Sequence, residues 1–416
     1  MTQDKTNKVL NVPPLRFPEF TGEWEKMKVS NLLDFYSTNS LSWEQLEYGT
    51  DKLCNLHYGL IHVGLPTLVN LSEQELPNIK IENLPRSYEL CQEGDVAFAD
   101  ASEDTNEVAK VVEFYELGKK DVICGLHTIH GRDNKGITIK GFKGYALSSI
   151  PFHNQIRRLA QGTKIYSVSV KNFSESYISI PTKEEQSKIV ALLSLLDCRI
   201  ATQIRVIEDL QSLKKAITNF IIDKLIKAIP LTQFAEIYIK AGEGGTPDTT
   251  KHEYYKEGTI PFIKIDDLCN KYLTEHKDNI TELGLQKSSA WVVPAKSLIY
   301  SNGATIGAIS INTYPVATKQ GILGIVPKQN ADVEYLYYLM TSTYFNKQVH
   351  RIITHGTMAT AYLKDINKIK VSIPTLQEQQ SITKLLSAIS KKEEMEHSLL
   401  SHLNTQKQYL LQQMFI

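Results

Sequence analysis

Ile180-Pro181-Thr182-Lys183-Glu184-Glu185-Gln186-Ser187-Lys188-Ile189 is written a second time, with small changes, as Ile373-Pro374-Thr375-Leu376-Gln377-Glu378-Gln379-Gln380-Ser381-Ile382. Both stretches read as helix starts. A proline sits just before each helix, where its missing N–H costs little, and a threonine follows as N-cap. Glu185 and Glu378 stand three residues after their threonines, the spacing of a capping box. Neither copy is followed by a glycine or proline within its apolar-periodic stretch. A duplication on this scale means two copies of one structural unit, so it organises everything else in the chain.

Four blocks follow from it. Residues 1–179 form a first globular head and 180–229 a central spacer helix; 230–372 form a second head and 373–416 a C-terminal spacer helix. In the first helix Ile189, Leu193, Leu196, Ile200, Ile204, Ile207, Leu210, Leu213, Ile217 and Ile221 recur every three or four residues, with a mean period near 3.6. Ile382, Leu386, Ile389, Leu399, Leu403, Leu410 and Met414 match them in the second. Such helices would be roughly 60–70 Å long, and a greasy stripe of that length needs a partner. Each helix is the other's most economical partner. The expected interface is Ile189, Leu193, Leu196, Ile200, Ile207, Leu210 and Ile217 against Ile382, Leu386, Ile389, Leu403 and Leu410, in an antiparallel, coiled-coil-like pair.

The heads read as α+β. Short apolar or alternating runs bounded by Gly, Pro, Asn and Asp predict strands at 95–99, 136–140, 165–170, 260–265, 297–300, 308–311 and 321–326. A helix is predicted over Asp332–Met340, continuing toward Val349. Both heads close with Gly-Thr (Gly162-Thr163 and Gly356-Thr357), a short extended run, and the Ile-Pro-Thr stretch. The fold class is therefore two similar mixed heads, a pseudo-twofold internal repeat, separated by two long helices.

Composition bounds the function. The chain has 416 residues and zero formal net charge, so a uniformly basic footprint is absent. Its five cysteines are scattered without a Cys-x-x-Cys pair, which fits a reducing cytosol better than a disulfide framework or a zinc site. No apolar run approaches the ~18–20 residues that span a bilayer, and the polar N-terminus has no signal core, so a cytoplasmic protein with no membrane partner is expected. Charge is nevertheless uneven along the chain. Arg132, Lys135, Lys140, Lys143, Arg157, Arg158 and Lys164 lead into the first helix, and Lys347, Arg351, Lys364 and Lys368 lead into the second. Lys and Arg at equivalent places in a duplicated chain suit contacts to DNA phosphates, although basic runs are often only solvated faces. Tyr145, Tyr166, Asn154, Tyr344, Asn346 and Tyr362 lie among them. In Ser301-Asn302-Gly303-Ala304-Thr305-Ile306-Gly307, glycines would let a ligand approach the backbone, and an Asn side chain can read adenine. A plain Asn-Gly hairpin turn explains the same residues. Gly244-Gly245-Thr246-Pro247 is a second such loop.

Several chemistries lack their signature. There is no phosphate-binding Gly-x-x-x-x-Gly-Lys-Ser/Thr and no Gly-x-Gly-x-x-Gly. His127-x-x-His130 lacks a third metal ligand at suitable spacing and reads as two ordinary histidines. Asp266-Asp267 reads as strand-end capping, not as a nuclease carboxylate pair.

Taken together, Leu15-Arg16-Phe17-Pro18-Glu19-Phe20 with Trp24-Glu25, Gly245-Thr246-Pro247 with Ile260-Pro261-Phe262-Ile263, the Ser301–Gly307 segment and both helix starts resemble the specificity subunit of type I restriction–modification systems. The resemblance implies two target-recognition domains reading a bipartite double-stranded DNA target, with no catalysis in this chain. It further implies two modification (methyltransferase) subunits and restriction subunits as partners, which would carry S-adenosylmethionine, ATP and Mg chemistry. DNA contacts are expected from Arg132, Lys135, Lys140, Lys143, Arg157, Arg158, Lys164 and Tyr166 in the first head. In the second they are expected from Thr246, Ser301, Asn302, Gly303, Lys319, Lys347, Arg351, Thr357, Tyr362, Lys364 and Lys368. The first head has Asp100-Ala101-Ser102-Glu103-Asp104 where the second has its Asn-Gly loop. A two-headed adaptor for proteins, or a stand-alone metal-dependent nuclease, are the other classes the residues allow.

Overall fold

A computed structural model of the chain describes residues 10–50, 52–354 and 359–416. Gly356 and Thr357 lie outside the described residues. The chain divides into two compact units: residues up to Ile204 with Leu399–Ile416, and Arg205–Ser398. Two long helices, Lys183–Ala228 and Leu376–Gln413, each contribute to both.

Inside each unit the same sheet is built twice. In the first, five strands run in the order 34–36, 128–132, 96–99, 111–116, 68–70; in the second the order is 238–243, 322–327, 298–301, 309–312, 272–273. In both, the central three strands pair antiparallel and the last joins parallel. A smaller sheet beside it repeats a parallel pair with an antiparallel neighbour: Cys54–Leu56 with Val122–Cys124, and Ile260–Ile263 with Val316–Thr318. A two-stranded ribbon closes each head, Glu25–Lys28 on Tyr177–Ile180 and Leu231–Gln233 on Lys370–Ser372. Apolar residues buried on both faces, such as Val96-Ala97-Phe98-Ala99 and Leu298-Ile299-Tyr300, make the middle strand of each sheet wholly interior.

The strands expected at 95–99, 260–265, 297–300, 308–311 and 321–326 form at 96–99, 260–263, 298–301, 309–312 and 322–327. Two expectations fail. Residues 136–140 form no strand, because the Asp133 carboxylate takes the Thr138 amide at 2.7 Å and the Gln186 side chain takes the Ile139 amide at 2.8 Å. Of 165–170 only Tyr166-Ser167 is extended, and a short helix starts at Val170 with Ser169 as its cap. The helix expected over Asp332–Met340 runs Val333–Thr341, with Asp332 as its cap. It stops at Ser342, whose hydroxyl caps a second helix, Thr343–Ile352.

The duplicated helix starts share one buried device and differ in another. Gln186 is fully buried; its Nε2 donates to the Pro181 carbonyl at 3.0 Å and the Ile137 carbonyl at 3.3 Å, and its Oε1 accepts from Ile139. Gln379, also fully buried, repeats this with Pro374 at 2.8 Å, Asn330 at 2.9 Å and the Asp332 amide at 2.7 Å. Each glutamine thus ties a head loop to the first turn of its helix through backbone groups that would otherwise be orphaned. The glutamates diverge. Glu378 completes the expected capping box with Thr375. At the first copy the Glu185 amide still donates to Thr182, but the carboxylate is buried and turned to Arg16, which grips it with two bonds of 2.7 Å, and to the Trp24 indole.

Burial along both helices recurs every three or four residues, one packed stripe on each. Within the first unit Ile189, Leu193, Leu196 and half-buried Ile200 pack in one core with Leu403, Leu410, Leu411, Met414 and Phe415. The first part of one helix thus meets the last part of the other, as an antiparallel pair requires, and Lys407 reaches Asp197 at 2.6 Å. In the second unit Ile222, Leu225 and Ile226 share a core with Ile382, and Lys214 pairs with Glu393. Ile207 and Leu386 are buried there, and Leu210, Ile217 and Ile389 half-buried. Ile204, Leu213 and Leu399 leave the stripe and are exposed. Gln203 and Thr218 are buried instead, polar residues that apolar spacing overlooked. No helix is long and apolar enough to cross a membrane, searched among the described residues.

Candidate nucleic-acid interface

In the second head, four sequence segments converge at one end of the five-stranded sheet. The loop after strand 298–301 runs from Asn302 to Ala308, too long for a two-residue Asn-Gly hairpin turn. The amides of Asn302 and Gly303 donate to the Gly321 carbonyl at 3.0 and 3.2 Å, and the Ala361 amide donates to the Asn302 carbonyl at 2.9 Å. Gly245 donates to the Thr318 carbonyl, and the Gln320 amide reaches the Thr246 hydroxyl at 3.4 Å. The structure therefore brings together Thr246, Ser301, Asn302, Gly303, Lys319 and Tyr362. A Cβ on Gly307 would stand 3.6 Å from the Asn346 side chain, so the helix carrying Lys347 and Arg351 flanks the same loop. Gly244 and Gly245 are demanded by packing: a Cβ on either would fall within 2.5 Å of Thr318 or Ser289 atoms.

Side chains at this end differ in availability. Lys319, Lys347, Arg351, Lys364 and Lys368 are exposed. Lys364 lies over the Tyr362 ring at 5.5 Å, and Lys368 holds Asp365 at 2.8 Å, which keeps that carboxyl below its usual range. Ser301 and Asn302 are fully buried, with Asn302 Nδ2 on the Ala361 carbonyl at 3.2 Å. Tyr300 Oη, Ser301 Oγ and Asn302 Oδ1 are buried without a hydrogen-bond partner among the described residues. Asn302 thus pins the loop from inside in this conformation. Thr357 lies outside the described residues.

The first head repeats the frame with other side chains. The Asp100 amide donates to the His127 carbonyl at 3.0 Å and the Val168 amide to the Asp100 carbonyl at 2.9 Å, the same two bonds that hold Asn302. Asp100 therefore occupies the Asn302 slot, and Tyr166 pairs with Ser102 beside it. Arg158 and Lys164 are exposed with no ion-pair partner among the described residues, and Arg157 bonds Asn106. Lys140 reaches Glu93 at 2.9 Å, and Lys135 donates to the Asn31 carbonyl at 2.7 Å.

Two of the basic residues expected at the surface are interior. Lys143 is 3% exposed and stands 3.2 Å from Glu113, which also accepts the Gly141 and Gly144 amides. Burial pushes the Glu113 carboxyl up, against the pull of Lys143. Arg132 is 8% exposed: it forks onto Asp95, bonds Glu89 at 2.8 Å, and stacks 4.4 Å from the Tyr36 ring centroid. Both charges are neutralised inside the head, so neither is retained as a phosphate contact. Sequence counts basic residues; it does not show which acidic strand neighbours will consume them. Asp266-Asp267 behaves as read: the Asp267 carboxylate caps the Lys264 amide at 2.8 Å.

Residues 224–405 match the family described as Type I restriction modification DNA specificity domain. The chain is 31% identical over 147 residues to the MjaIX specificity subunit of Methanocaldococcus jannaschii, which covers 35% of this chain and 34% of that one. To the EcoR124I/EcoR124II specificity subunit of Escherichia coli it is 26% identical over 229 residues, 52% of this chain and 56% of that one. It thus spans about a third to just over half the length of these relatives. By fold it is similar to the type I restriction–modification S subunit of M. genitalium, with TM-score 0.53 at 17% identity over 97% of this chain and 99% of that one. It is also similar to a chain solved in work on assembly and conformational transition of the type I R-M system, with TM-score 0.61 at 16% identity over 96% and 98%. Residues 224–405 are thus similar to the type I restriction–modification DNA specificity domain, and the chain resembles the specificity subunits of those systems.

Proposed function

We propose that this chain is the non-catalytic specificity subunit of a type I restriction–modification complex in the cytoplasm. Its first head, residues 1–179, reads one part of a bipartite double-stranded DNA target, and its second head, 230–372, reads the other. The helical segments 180–229 and 373–416 dock two modification subunits, and restriction subunits join them. Methylation with S-adenosylmethionine and ATP- and Mg-dependent translocation and cleavage belong to those partners. One observation carries this reading: a repeated sheet holds Asp100 in one head and Asn302 in the other in the same backbone slot, beside exposed cations. A shared frame with exchanged side chains suits two readers of different sequences.

The exposed residues Arg158, Lys164, Lys319, Lys347, Arg351, Lys364 and Lys368 make the phosphate contacts in this reading, while the loops at 100–104 and 302–308 approach base edges. Replacing residues 230–372 by the equivalent head of another such protein, then sequencing methylated adenines in a host with the modification subunits, is the test. One part of the target changes and the other stays. An unchanged target refutes the modular reading. An adaptor that grips proteins would show no salt-dependent DNA binding even with modification subunits present.

A further inference from the structure

We propose that Cys91, Cys124 and His130 of the first head form a structural Zn²⁺ site. The proposal is independent of what the head reads. The sequence gives no hint of it, because the three residues come from three separate segments and no Cys-x-x-Cys pair is present. The fold unites them. The Cys91 amide donates to the Val122 carbonyl at 2.8 Å, which lays Cys91 alongside the strand ending in Cys124. His130 lies mid-strand in the neighbouring sheet. One donor atom from each lies within 4.8 Å of the others, and the three residues are 6%, 2% and 0% exposed.

Three details favour a metal over a mere cluster of interior side chains. First, the two sulfurs are 3.6 Å apart. Two Zn–S bonds of about 2.3 Å at a tetrahedral angle place sulfurs about 3.8 Å apart, whereas a disulfide needs about 2.05 Å. Second, His130 Nε2 is taken by Asp95 at 2.7 Å, which leaves the buried Nδ1 with the Cys91 thiol as its only interacting group among the described residues. A bound cation would take that nitrogen's lone pair and the sulfur together. Third, the carboxylate on the far nitrogen is the arrangement that fixes the tautomer and orientation of a metal-ligating histidine. The turn that presents Cys91 also presents Asp95, since the Gln92 amide bonds the Asp95 carboxylate at 2.9 Å.

Charge decides the ion. Two thiolates and a neutral imidazole cancel Zn²⁺, and Arg132 already balances Asp95, so the filled site buries no net charge. A monovalent soft ion would leave one negative charge inside. Binding releases the two thiol protons, and the three side chains fill three of the four tetrahedral positions. The consequence is a cross-link between the two sheets of the first head.

The full-length chain, purified reduced and without chelator, should carry about one zinc per chain by elemental analysis. Co²⁺ in its place should give a thiolate charge-transfer band and tetrahedral visible bands. Cys124→Ser should lose both signals, while Cys198→Ser and Cys269→Ser, at exposed positions, should keep them. If Cys124→Ser does not fold, Co²⁺ titration of the unaltered chain still decides. A folded chain with neither zinc nor a cobalt–thiolate band overturns the proposal. So does zinc retained in a folded Cys91→Ser/Cys124→Ser variant, or a Cys91–Cys124 disulfide in the protein as isolated.

Discussion

Replacing Gln379 by Ala should strip three backbone groups of their partner at once. The Pro374 and Asn330 carbonyls and the Asp332 amide all bond its side chain, and the site is fully buried, so water does not take over. A buried hydrogen bond contributes roughly 1 kcal/mol net, and a stranded partner costs about 1–3 kcal/mol. Three bonds therefore put the loss at about 3 kcal/mol or more. With a urea slope of about 3 kcal/mol per molar, the upper range for a domain, the transition of the second unit should move down by about 1 M. The two units need not unfold together, so the assay is urea unfolding followed by hydrogen exchange on peptides from 320–340 and 370–390. Gln186→Ala should do the same to the first unit, with the effect on peptides from 130–145 and 178–192. Glu378→Ala removes only an exposed cap and should shift the midpoint much less. If Gln379→Ala and Glu378→Ala cost the same, the view that the glutamine clamps head to helix is wrong.

Lys143→Met should destabilise the first unit by about 3–5 kcal/mol, because it leaves the buried Glu113 without its counter-charge; Lys140→Met, at the surface, should be nearly silent in the same melt. Lys271 donates to Glu334, Tyr338 and Ser387, so Lys271→Met should cost the second unit about 2 kcal/mol, less than a fully buried pair since Glu334 keeps some solvent. That contact also sets an acid limb. Burial opposes the Glu334 charge, yet Lys271, Tyr272 and Ser387 hold its pKa below 4.5, so its contribution is complete above 4.5 and is lost as pH falls through the lower folded value. Melts from pH 6 to pH 3 should show this loss in the natural chain and a flatter profile in Lys271→Met. Lys347→Ala with Arg351→Ala should weaken DNA binding by the assembled complex and reduce the slope of log K on log salt by about 1.8, roughly 0.9 per phosphate contact. The methylated sequence should not change.

The frame was legible in the sequence because it rests on signals that repeat. Two helix starts with threonine caps, two glycine-free stripes and matching strand runs each had a second copy to read against. Their details were not legible. The apolar stripe failed at Ile204 and Leu213 because spacing counts every isoleucine and leucine alike, while burial chose Gln203 and Thr218. The strand expected at 136–140 failed because Asp133 and Gln186 supply the hydrogen bonds a neighbouring strand would have made. At the candidate interface, proximity in space was the missing quantity. Nothing in the order of residues says that Asp95 and Glu113 sit under Arg132 and Lys143, or that Asp100 takes the place of Asn302.

That last equivalence explains how two heads can share a sheet and so little sequence. The bonds that fix the slot, His127 or Gly321 carbonyl to one amide and Val168 or Ala361 amide to one carbonyl, are made by main chain alone. The clamps at Gln186 and Gln379 likewise spend their side chains on backbone groups. Main-chain partners survive substitution of the residues that offer them by anything but proline at a donor. These main-chain bonds hold with Asp100 in one slot and Asn302 in the other, which suits the proposed readers of different sequences. Glu185 has left its capping box for Arg16 and Trp24, a side-chain bargain that ties the first copy to its own N-terminal segment. Arg16→Ala should therefore leave Glu185 buried and unpaired and destabilise the first unit, and a following Glu185→Gln should recover part of the loss in the same urea melt. No recovery would mean that Arg16 acts by packing and not by charge.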